Sequence, residues 1–257
     1  MTDKKWEGWY SPDDINTSYV DVCSQASIDD NIFSIFKSIE AYKIVLEHVS
    51  TQQGRYYFSM IEQMTDSLYE NLESFKENDN YGQPTLSNFR GIGNISPTTL
   101  RYIKNTFEID SLVKGDTVSR IVEVGGGYGG LCKTLSVVCD FDEYVLIDLP
   151  EVVKLQDRYL SNFPDLYKKC VFVPCTEIKE IQDVDLFISN YALSECADEI
   201  QEMYFKKLIS NSKFAYIVYN IVGFKQYNLA NFTKKMQEVF FVNTRKDLEN
   251  VVLLSKR

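Results

Sequence analysis

The chain has 257 residues, of which 44% are hydrophobic and 25% charged, as expected of one large globular domain or of a catalytic domain with an extension. The formal net charge is −10, and no dense run of Lys and Arg is present, so we expect no nucleic-acid partner. The six cysteines form no C-x-x-C pair and the chain has one histidine, which predicts reduced thiols and no metal site.

The N-terminal sequence from Met1 to Trp9 is polar and charged, so no secretory signal is predicted. The longest apolar stretch, residues 214–222, is too short to cross a bilayer and contains Asn220. We therefore expect a cytoplasmic protein without a membrane span.

The first hundred residues have the spacing of helices. Ser27 and Asp30 have the form of a capping box, and apolar residues then recur at helical spacing over 32–49. A break is predicted at residues 53–54, followed by a second helix over 57–75. We interpret the aromatic residues of these helices as core residues.

Residues 78–94 are rich in Asn, Gly, Pro and Ser, which predicts a loop, and the length of this loop makes it a candidate binding loop or lid. Ser96 and Pro97 are typical of a helix start, and that helix is predicted to run towards Phe107. Together these elements predict a helical N-terminal extension and lid over residues 1–115, which is also a candidate interface of a homodimer.

From Val118 onwards, strand-like and amphipathic segments alternate. The predicted strands are residues 120–124, 144–148, 170–173, 185–189, 214–219, 238–242 and 251–255. Such alternation predicts an α/β fold with a mainly parallel sheet and helices on both faces. We place this domain at residues 116–257.

A glycine-rich loop, residues 125–130, follows the first of these strands and precedes a helix that begins near Leu131. Glycine permits unusual backbone angles and lets a ligand approach the main chain closely. Ligands of such sheets bind beyond the carboxyl ends of the strands, so this loop is a candidate cofactor site.

The loop is compatible with two classes of cofactor. Gly125, Gly127 and Gly130 match G-x-G-x-x-G, which also occurs in dinucleotide sites. Glu123 gives the acidic-x-Gly-x-Gly form that resembles motif I of class I methyltransferases; its alternative role is to accept hydrogen bonds from loop amides. No Tyr-x-x-x-Lys pair, as in short-chain dehydrogenases, follows the loop. Asp148 ends the next strand, where a carboxylate binds ribose hydroxyls in either class; its alternative role is a helix N-cap.

The Asp-Leu-Pro stretch that begins at Asp148 is similar to that of class I O-methyltransferases. Residues 189–195, Ser-Asn-Tyr-Ala-Leu-Ser-Glu, narrow the resemblance to the sugar O-methyltransferase family associated with bacterial surface polysaccharides. Residues 78–84 and 96–102 agree with it, so the resemblance covers the region 78–221. Motif I is specific for the superfamily, and the other stretches point to the family.

The resemblance implies a Rossmann-like sheet of seven strands, with an antiparallel last strand at 251–255, and S-adenosylmethionine as the cofactor. It places the glycines beside the methionine part of the cofactor, Asp148 at the ribose, and Thr176 and Glu177 near the adenine. The cofactor residues implied are Glu123, Gly125, Gly127, Tyr128, Gly129, Asp148, Leu149, Thr176, Glu177, Asn190 and Arg101.

The implied reaction transfers a methyl group to a hydroxyl of a sugar or nucleotide sugar, which is mainly a positioning task aided by a base. Glu195 is the candidate base, and its alternative role is a helix cap or surface carboxylate. Tyr191 and Asn220 are candidate substrate contacts. His48, the only imidazole, is the alternative base, although a lone helical histidine is usually structural. Arg101 is a candidate partner of a cofactor carboxylate or substrate phosphate, or part of a structural ion pair.

Three other functions stay open. The first is methylation of another small molecule, such as a phenol or a phosphoryl-linked group. The second is that of an NAD-dependent oxidoreductase, and the third is that of a non-catalytic adenosine-binding module. They differ in the ligands that the protein binds and in whether it transfers a methyl group.

Overall fold

The structure is a computed structural model that describes residues 18–179, 181–220, 226–248 and 250–256. The polar stretch from Met1 to Trp9 and the end of the apolar stretch 214–222 lie outside these residues. Within the described part of the chain, no helix is long and apolar enough to cross a membrane.

The N-terminal part is mainly helical. Its helices are α1 (Tyr19–Ala26), α2 (Asp30–Ile35), α3 (Glu40–Lys43), α4 (Thr51–Met64), α5 (Ser67–Glu70), α6 (Leu72–Lys76) and α7 (Pro97–Val113). Between them lie 3-10 turns at Phe36–Ser38 and Glu77–Asp79 and an antiparallel hairpin of β1 (Ser87–Phe89) and β2 (Gly93–Ile95).

The C-terminal part forms a sheet with helices between its strands. The strands are β3 (Arg120–Val124), β4 (Glu143–Asp148), β5 (Cys170–Pro174), β6 (Leu186–Asn190), β7 (Phe214–Asn220), β8 (Phe241–Asp247) and β9 (Asn250–Lys256). The helices are α8 (Gly130–Leu135), α9 (Pro150–Leu160), α10 (Pro164–Tyr167), α11 (Ala192–Glu195), α12 (Asp198–Lys207) and α13 (Gln226–Gln237), with 3-10 turns at Cys175–Glu177 and Ile209–Asn211.

The described strands β3 to β9 form one seven-stranded sheet of order β5-β4-β3-β6-β7-β9-β8. β9 is antiparallel to β7 and to β8, whereas the other neighbouring strands are parallel. This confirms the predicted α/β, Rossmann-like fold with seven strands and an antiparallel last strand. The chain runs from β3 outward to β5, then returns to β6 on the other side of β3, so the switch point where ligands bind lies beside β3.

The single helix predicted over 32–49 is wrong, because the chain bends there. Asp29, not Ser27, caps α2, and its carboxylate accepts hydrogen bonds from two amides of the first turn. A 3-10 turn and an extended residue then separate α2 from α3. The bend lets the buried rings of Phe36 and Tyr42 pack edge to face, 5.0 Å apart, and this packing overrides the helical spacing.

Gln53 and Gly54, which predicted a break, lie inside α4. The hydroxyl of Ser50 accepts from the Gln53 amide at 3.2 Å, and the Gln53 side chain accepts from the Ser50 amide at 2.9 Å, which is a capping box. Gly54 lies where α4 packs against α7. A Cβ there would lie 2.8 Å from the ring of Phe89 and 3.0 Å from Pro97, so this glycine allows close packing.

The loop predicted over 78–94 is right in part: residues 80–86 have no helix or strand, whereas the segment also contains the end of a 3-10 turn and the β1–β2 hairpin. Asn78 is fully buried, and its amide nitrogen lies 2.7 Å from the hydroxyl of Thr99 and 2.9 Å from that of Tyr128. The carboxylate of Asp79 accepts from the Ser96 amide at the start of α7. The helix start at Ser96 is confirmed, and the helix runs on to Val113.

Two further boundaries concern the sheet domain. The strand predicted at 238–242 is displaced. The amide of Phe240 still donates to the carbonyl of Met236 in the last turn of α13, and β8 therefore begins at Phe241. The division at 115/116 stays a prediction. The helices before it share a core with the sheet domain, since Phe36 lies 5.8 Å from the ring of Tyr128.

We expect Gly54→Ala to destabilise the protein, although alanine favours a helix over glycine by about 1 kcal/mol. The added methyl group overpacks the contact with Phe89, which costs about 1–3 kcal/mol. Urea denaturation measures the free energy of unfolding of the variant and of Gly54→Ala combined with Phe89→Leu, which makes room for the methyl group. A single variant more stable than wild type would contradict the close-packing role.

Candidate functional site

A cavity of about 550 Å³ lies at the switch point of the sheet. The ends of β3, β4, β6 and β7 and the segments that follow β3, β4, β5 and β6 contribute to its walls, as do residues 45–49, α1, α4, α7, Leu248 and Asn250. Its volume is that of a small-molecule site. The cavity therefore joins the N-terminal helices to the carboxyl edge of the sheet.

The structure brings together nine of the residues that the sequence predicted for the site. They line this cavity and are Arg101, Gly125, Gly127, Asp148, Leu149, Asn190, Tyr191, Glu195 and Asn220. Five other predicted cofactor residues do not line it: Glu123, Tyr128, Gly129, Thr176 and Glu177.

The glycine loop is shaped by its contacts with the protein as well as by its conformation. Gly125 has a φ of +77°, and a Cβ there would overlap the side chain of Ala192, after β6. Gly127 has a φ of +56°, and a Cβ there would lie 2.9 Å from the side chain of Leu46. Both positions therefore exclude a side chain for steric and conformational reasons.

Glu123 supports the loop from beneath. Its carboxylate is buried, accepts a hydrogen bond of 2.8 Å from the hydroxyl of Tyr144, and lies 3.0 Å from where a Cβ on Gly126 would be. Burial raises the pKa of Glu123 to about 7, although the hydrogen bond from Tyr144 lowers it. The carboxylate bonds to a phenol on β4, so in this structure it has a structural position.

Tyr128 and Gly129 also face the protein. The Tyr128 ring is fully buried, with the ammonium of Lys37 4.0 Å from its centre. Lys37 donates to the carbonyl of Asn78 at 2.7 Å, and burial lowers the pKa of Lys37 to about 8. Gly129, the N-cap residue of α8, has a φ of +94°, and a Cβ there would lie 3.0 Å from the side chain of Leu160. These residues fasten the loop to the helices around it.

The Asp148 carboxylate is oriented at the cavity by three donors. It accepts from the Gly127 amide at 3.2 Å, the Leu149 amide at 2.8 Å and the Gln156 side chain at 3.0 Å. The residue that caps α9 is Leu149, so the alternative N-cap role of Asp148 is wrong. After β5, Cys175 reaches the cavity wall instead of the predicted Thr176 and Glu177.

Arg101 brings a buried cation to the cavity. It is 5% exposed, donates to the carbonyl of Leu46 at 3.1 Å and lies 5.5 Å from the ring centre of Tyr191. Among the described residues it forms no ion pair, so the predicted alternative of a structural salt bridge finds no partner there. A guanidinium has five N–H donors, which leaves donors for an anionic group in the cavity.

The residues after β6 and the last residue of β7 form another part of the wall. Tyr191 has a φ of +70° and ψ of −46°, a strained conformation of the kind found at functional sites. Its amide donates to the carbonyl of Val218 at 2.8 Å. The amide nitrogen of Asn220 lies 3.5 Å from the carboxylate of Glu195. Among the described residues no group of three or more His, Cys, Asp or Glu is arranged to hold a metal ion.

Sequence reasoning missed the walls that come from distant parts of the chain. They include Tyr19 on α1, Leu46 before α4, Gln53 and Tyr57 on α4, and Asn250 at the start of β9. No short motif marks these residues, and Tyr57 fits the core pattern of its helix. The packing of the N-terminal helices onto the sheet brings the first four to the cavity, and the start of β9 brings Asn250.

No family model matches the sequence, and no curated protein sequence matches it either. Solved structures similar to this chain include the mitomycin 7-O-methyltransferase MmcR, at 13% identity and a TM-score of 0.45 over 63% of this chain and 56% of that one. The match thus spans about half of that protein. The methyltransferase domain of bacterial CtHen1 matches at 10% identity and a TM-score of 0.47, over 59% of this chain and 97% of that domain.

A third similar structure is TrmK of M. capricolum, solved with S-adenosylhomocysteine, at 12% identity and a TM-score of 0.40 over 59% of this chain and 67% of that one.

We expect the stability of the wild type to fall between pH 5 and 8 relative to that of Glu123→Gln. The folded protein holds the Glu123 proton with a pKa of about 7 against an ordinary value of 4.5. The stability from this proton is present below pH 4.5 and is lost as the pH rises through 7. The relative loss is at most about 3 kcal/mol. Denaturant titrations at both pH values measure it, and parallel pH dependences of the two proteins would contradict the burial of this acid.

Proposed function

We propose that the protein is an S-adenosylmethionine-dependent O-methyltransferase that acts on a sugar hydroxyl, either of a nucleotide-activated sugar or of a surface-polysaccharide building block. The observation that carries this proposal is the Asp148 carboxylate, held beside the glycine loop at the switch point of a Rossmann-like sheet. An oriented carboxylate there matches the two hydroxyls of a ribose.

The cavity residues fit the parts of this cofactor. Asp148 would hold the ribose hydroxyls, and Leu149 and Cys175 offer an apolar wall for the adenine. Gly125 and Gly127 let the methionine part approach the backbone. Arg101, whose guanidinium has no ion pair among the described residues, would hold the carboxylate of the methionine part. When bound, the cofactor supplies a methyl group that is already activated by a sulfonium.

The remaining walls suit a sugar as the acceptor. The rings of Tyr57 and Tyr191 and the amides of Gln53, Asn220 and Asn250 line the same cavity. Amides can donate to and accept from hydroxyl groups at once, and the rings cover the apolar face of a ligand. The chemical task of these residues is to place one hydroxyl oxygen in line with the methyl carbon.

The test is calorimetric titration of the protein with S-adenosylhomocysteine, with NADH in parallel. Binding of S-adenosylhomocysteine alone supports the proposal, and binding of NADH alone would replace it with an oxidoreductase. Methyl transfer from S-adenosylmethionine to a panel of nucleotide sugars and phenols then separates a sugar acceptor from another small molecule. Cofactor binding without transfer to any acceptor of the panel would favour a non-catalytic adenosine-binding module.

We expect Asp148→Asn to weaken binding of S-adenosylhomocysteine about 10- to 100-fold, because a hydrogen bond to a charged group contributes about 1.5–3 kcal/mol. Binding of 5′-methylthioadenosine, which keeps the ribose, should weaken by the same factor. Calorimetry measures both. Asp142→Asn, the same change on an exposed residue before β4, is the control, and equal affinities in the two variants would refute the role of Asp148.

Arg101→Met should instead distinguish between the two ligands. We expect about a 10- to 100-fold loss of affinity for S-adenosylhomocysteine, whose carboxylate loses its cationic partner. Affinity for 5′-methylthioadenosine, which lacks the amino-acid part, should stay within about twofold of wild type. Equal losses for both ligands would mean that the substitution disturbs the cavity as a whole and that Arg101 does not select the carboxylate.

A further inference from the structure

We propose that His48 is the general base that takes the proton from the acceptor hydroxyl, an inference that rests on the proposed methyltransferase function. His48 is the only imidazole of the chain and lines the same cavity as the glycine loop, Arg101 and Tyr191. It lies on the segment between α3 and α4, far in sequence from the sheet that carries the loop.

The segment that carries His48 is fastened over the glycine loop. Leu46, two residues earlier, packs against Gly127, and the Leu46 carbonyl accepts from the guanidinium of Arg101 at 3.1 Å. Val45, His48 and Val49 line the cavity around this anchor. His48 is thus placed by the contact that also places the loop and Arg101, and it borders the cavity that would hold the proposed methyl donor.

A neutral imidazole has one N–H donor, and its other ring nitrogen carries a lone pair that can accept a proton. The backbone at Val45 and Ile44 acts on the imidazole of His48 in the direction that raises its pKa. A neutral imidazole at the cavity wall has the lone pair that a general base needs.

The surroundings keep the imidazole neutral at physiological pH. Burial by the cavity walls lowers the pKa of His48, and the positive charge of Arg101 on α7 lowers it further, whereas the backbone at Val45 and Ile44 raises it. The other ionisable side chains of the cavity are Tyr19 on α1, Tyr57 on α4, Asp148 after β4, Cys175 after β5, Tyr191, Glu195 and Cys196 after β6, and Tyr204 on α12. His48 itself stays exposed on one side, which lets a proton leave to solvent.

Glu195 is less suited to this task. Its carboxylate lies 3.5 Å from the amide nitrogen of Asn220, so it is placed to orient that side chain. We therefore assign Glu195 a positioning role through Asn220.

The transfer is balanced without a further reagent. The acceptor oxygen forms a bond to the methyl carbon as the bond from that carbon to sulfur breaks, and the electron pair of the broken bond stays on sulfur. The hydroxyl proton passes to the free nitrogen of His48. The imidazolium that results releases this proton to solvent at the exposed side of the residue.

The single histidine permits a direct test by NMR. Protein labelled with ¹⁵N-histidine and made without a histidine tag gives the signals of one imidazole, which report its pKa and tautomer. The probes are S-adenosylhomocysteine and S-adenosylmethionine, which differ by one methyl group and one positive charge at sulfur. Calorimetry establishes separately that each is bound.

The expected result is one neutral tautomer at pH 7.5 and a pKa at least about one unit lower with S-adenosylmethionine than with S-adenosylhomocysteine, because the sulfonium charge lies close to the imidazole. Equal pKa values in the two complexes would overturn the assignment of His48 while leaving the proposed function intact. Failure of both probes to bind would instead overturn the proposed function, and the assignment with it.

Activity gives an independent test with matched variants. His48→Gln should bind S-adenosylhomocysteine as wild type does but methylate nucleotide sugars about 10²- to 10⁴-fold more slowly, and its kcat should no longer fall at acid pH. Glu195→Gln should keep the acidic limb of the pH profile. A wild-type rate in His48→Gln, or loss of the limb in Glu195→Gln, would overturn the assignment. If no nucleotide sugar is methylated, the NMR comparison decides.

Discussion

The contact between Leu46 and Gly127 is the constraint on which the cavity depends. The Leu46 side chain occupies the place that a Cβ on Gly127 would need, and the Leu46 carbonyl holds the guanidinium of Arg101. One contact thus sets the segment before α4, the cation on α7 and the loop after β3 relative to one another. Gly127 is needed for the protein's own packing as much as for a ligand, because the segment before α4, which forms one wall of the cavity, packs against it.

A buried cation fastens the same helices beneath the loop. The ammonium of Lys37 bonds to the carbonyl of Asn78 and lies over the ring of Tyr128. Burial lowers the pKa of Lys37, because one carbonyl and the surrounding rings replace the hydration of its ammonium only in part. Glu123 and Tyr128 are buried in the protein and support the loop there, whereas Gly125 and Gly127 line the cavity. This division explains why only some residues of one motif reach the site.

Sequence patterns that arise within a single strand or helix predicted the fold well. The ends of β3, β4, β5, β6, β7 and β9 lie within one residue of the prediction, because buried parallel strands carry a continuous apolar signal. Gly54 and the bend at Phe36 were misinterpreted, since their cause is a neighbouring helix or ring. The same distinction holds in the site: the spacing of the loop and Asp148 was visible in the sequence, whereas the approach of Leu46 and Tyr57 depends on tertiary packing.

The hydrogen bonds of the glycine loop bear on the choice of cofactor. A dinucleotide site uses loop amides to bind a pyrophosphate. Here the amide of Gly125 donates to the carbonyl of Ile147, that of Gly127 to the carboxylate of Asp148, and that of Gly129 to the carbonyl of Gly126. Three donors of the loop are thus already used within the protein. The cofactor that we propose has no pyrophosphate, and its one carboxylate and its ribose would be held by the side chains of Arg101 and Asp148, so it asks less of the loop amides than a dinucleotide does.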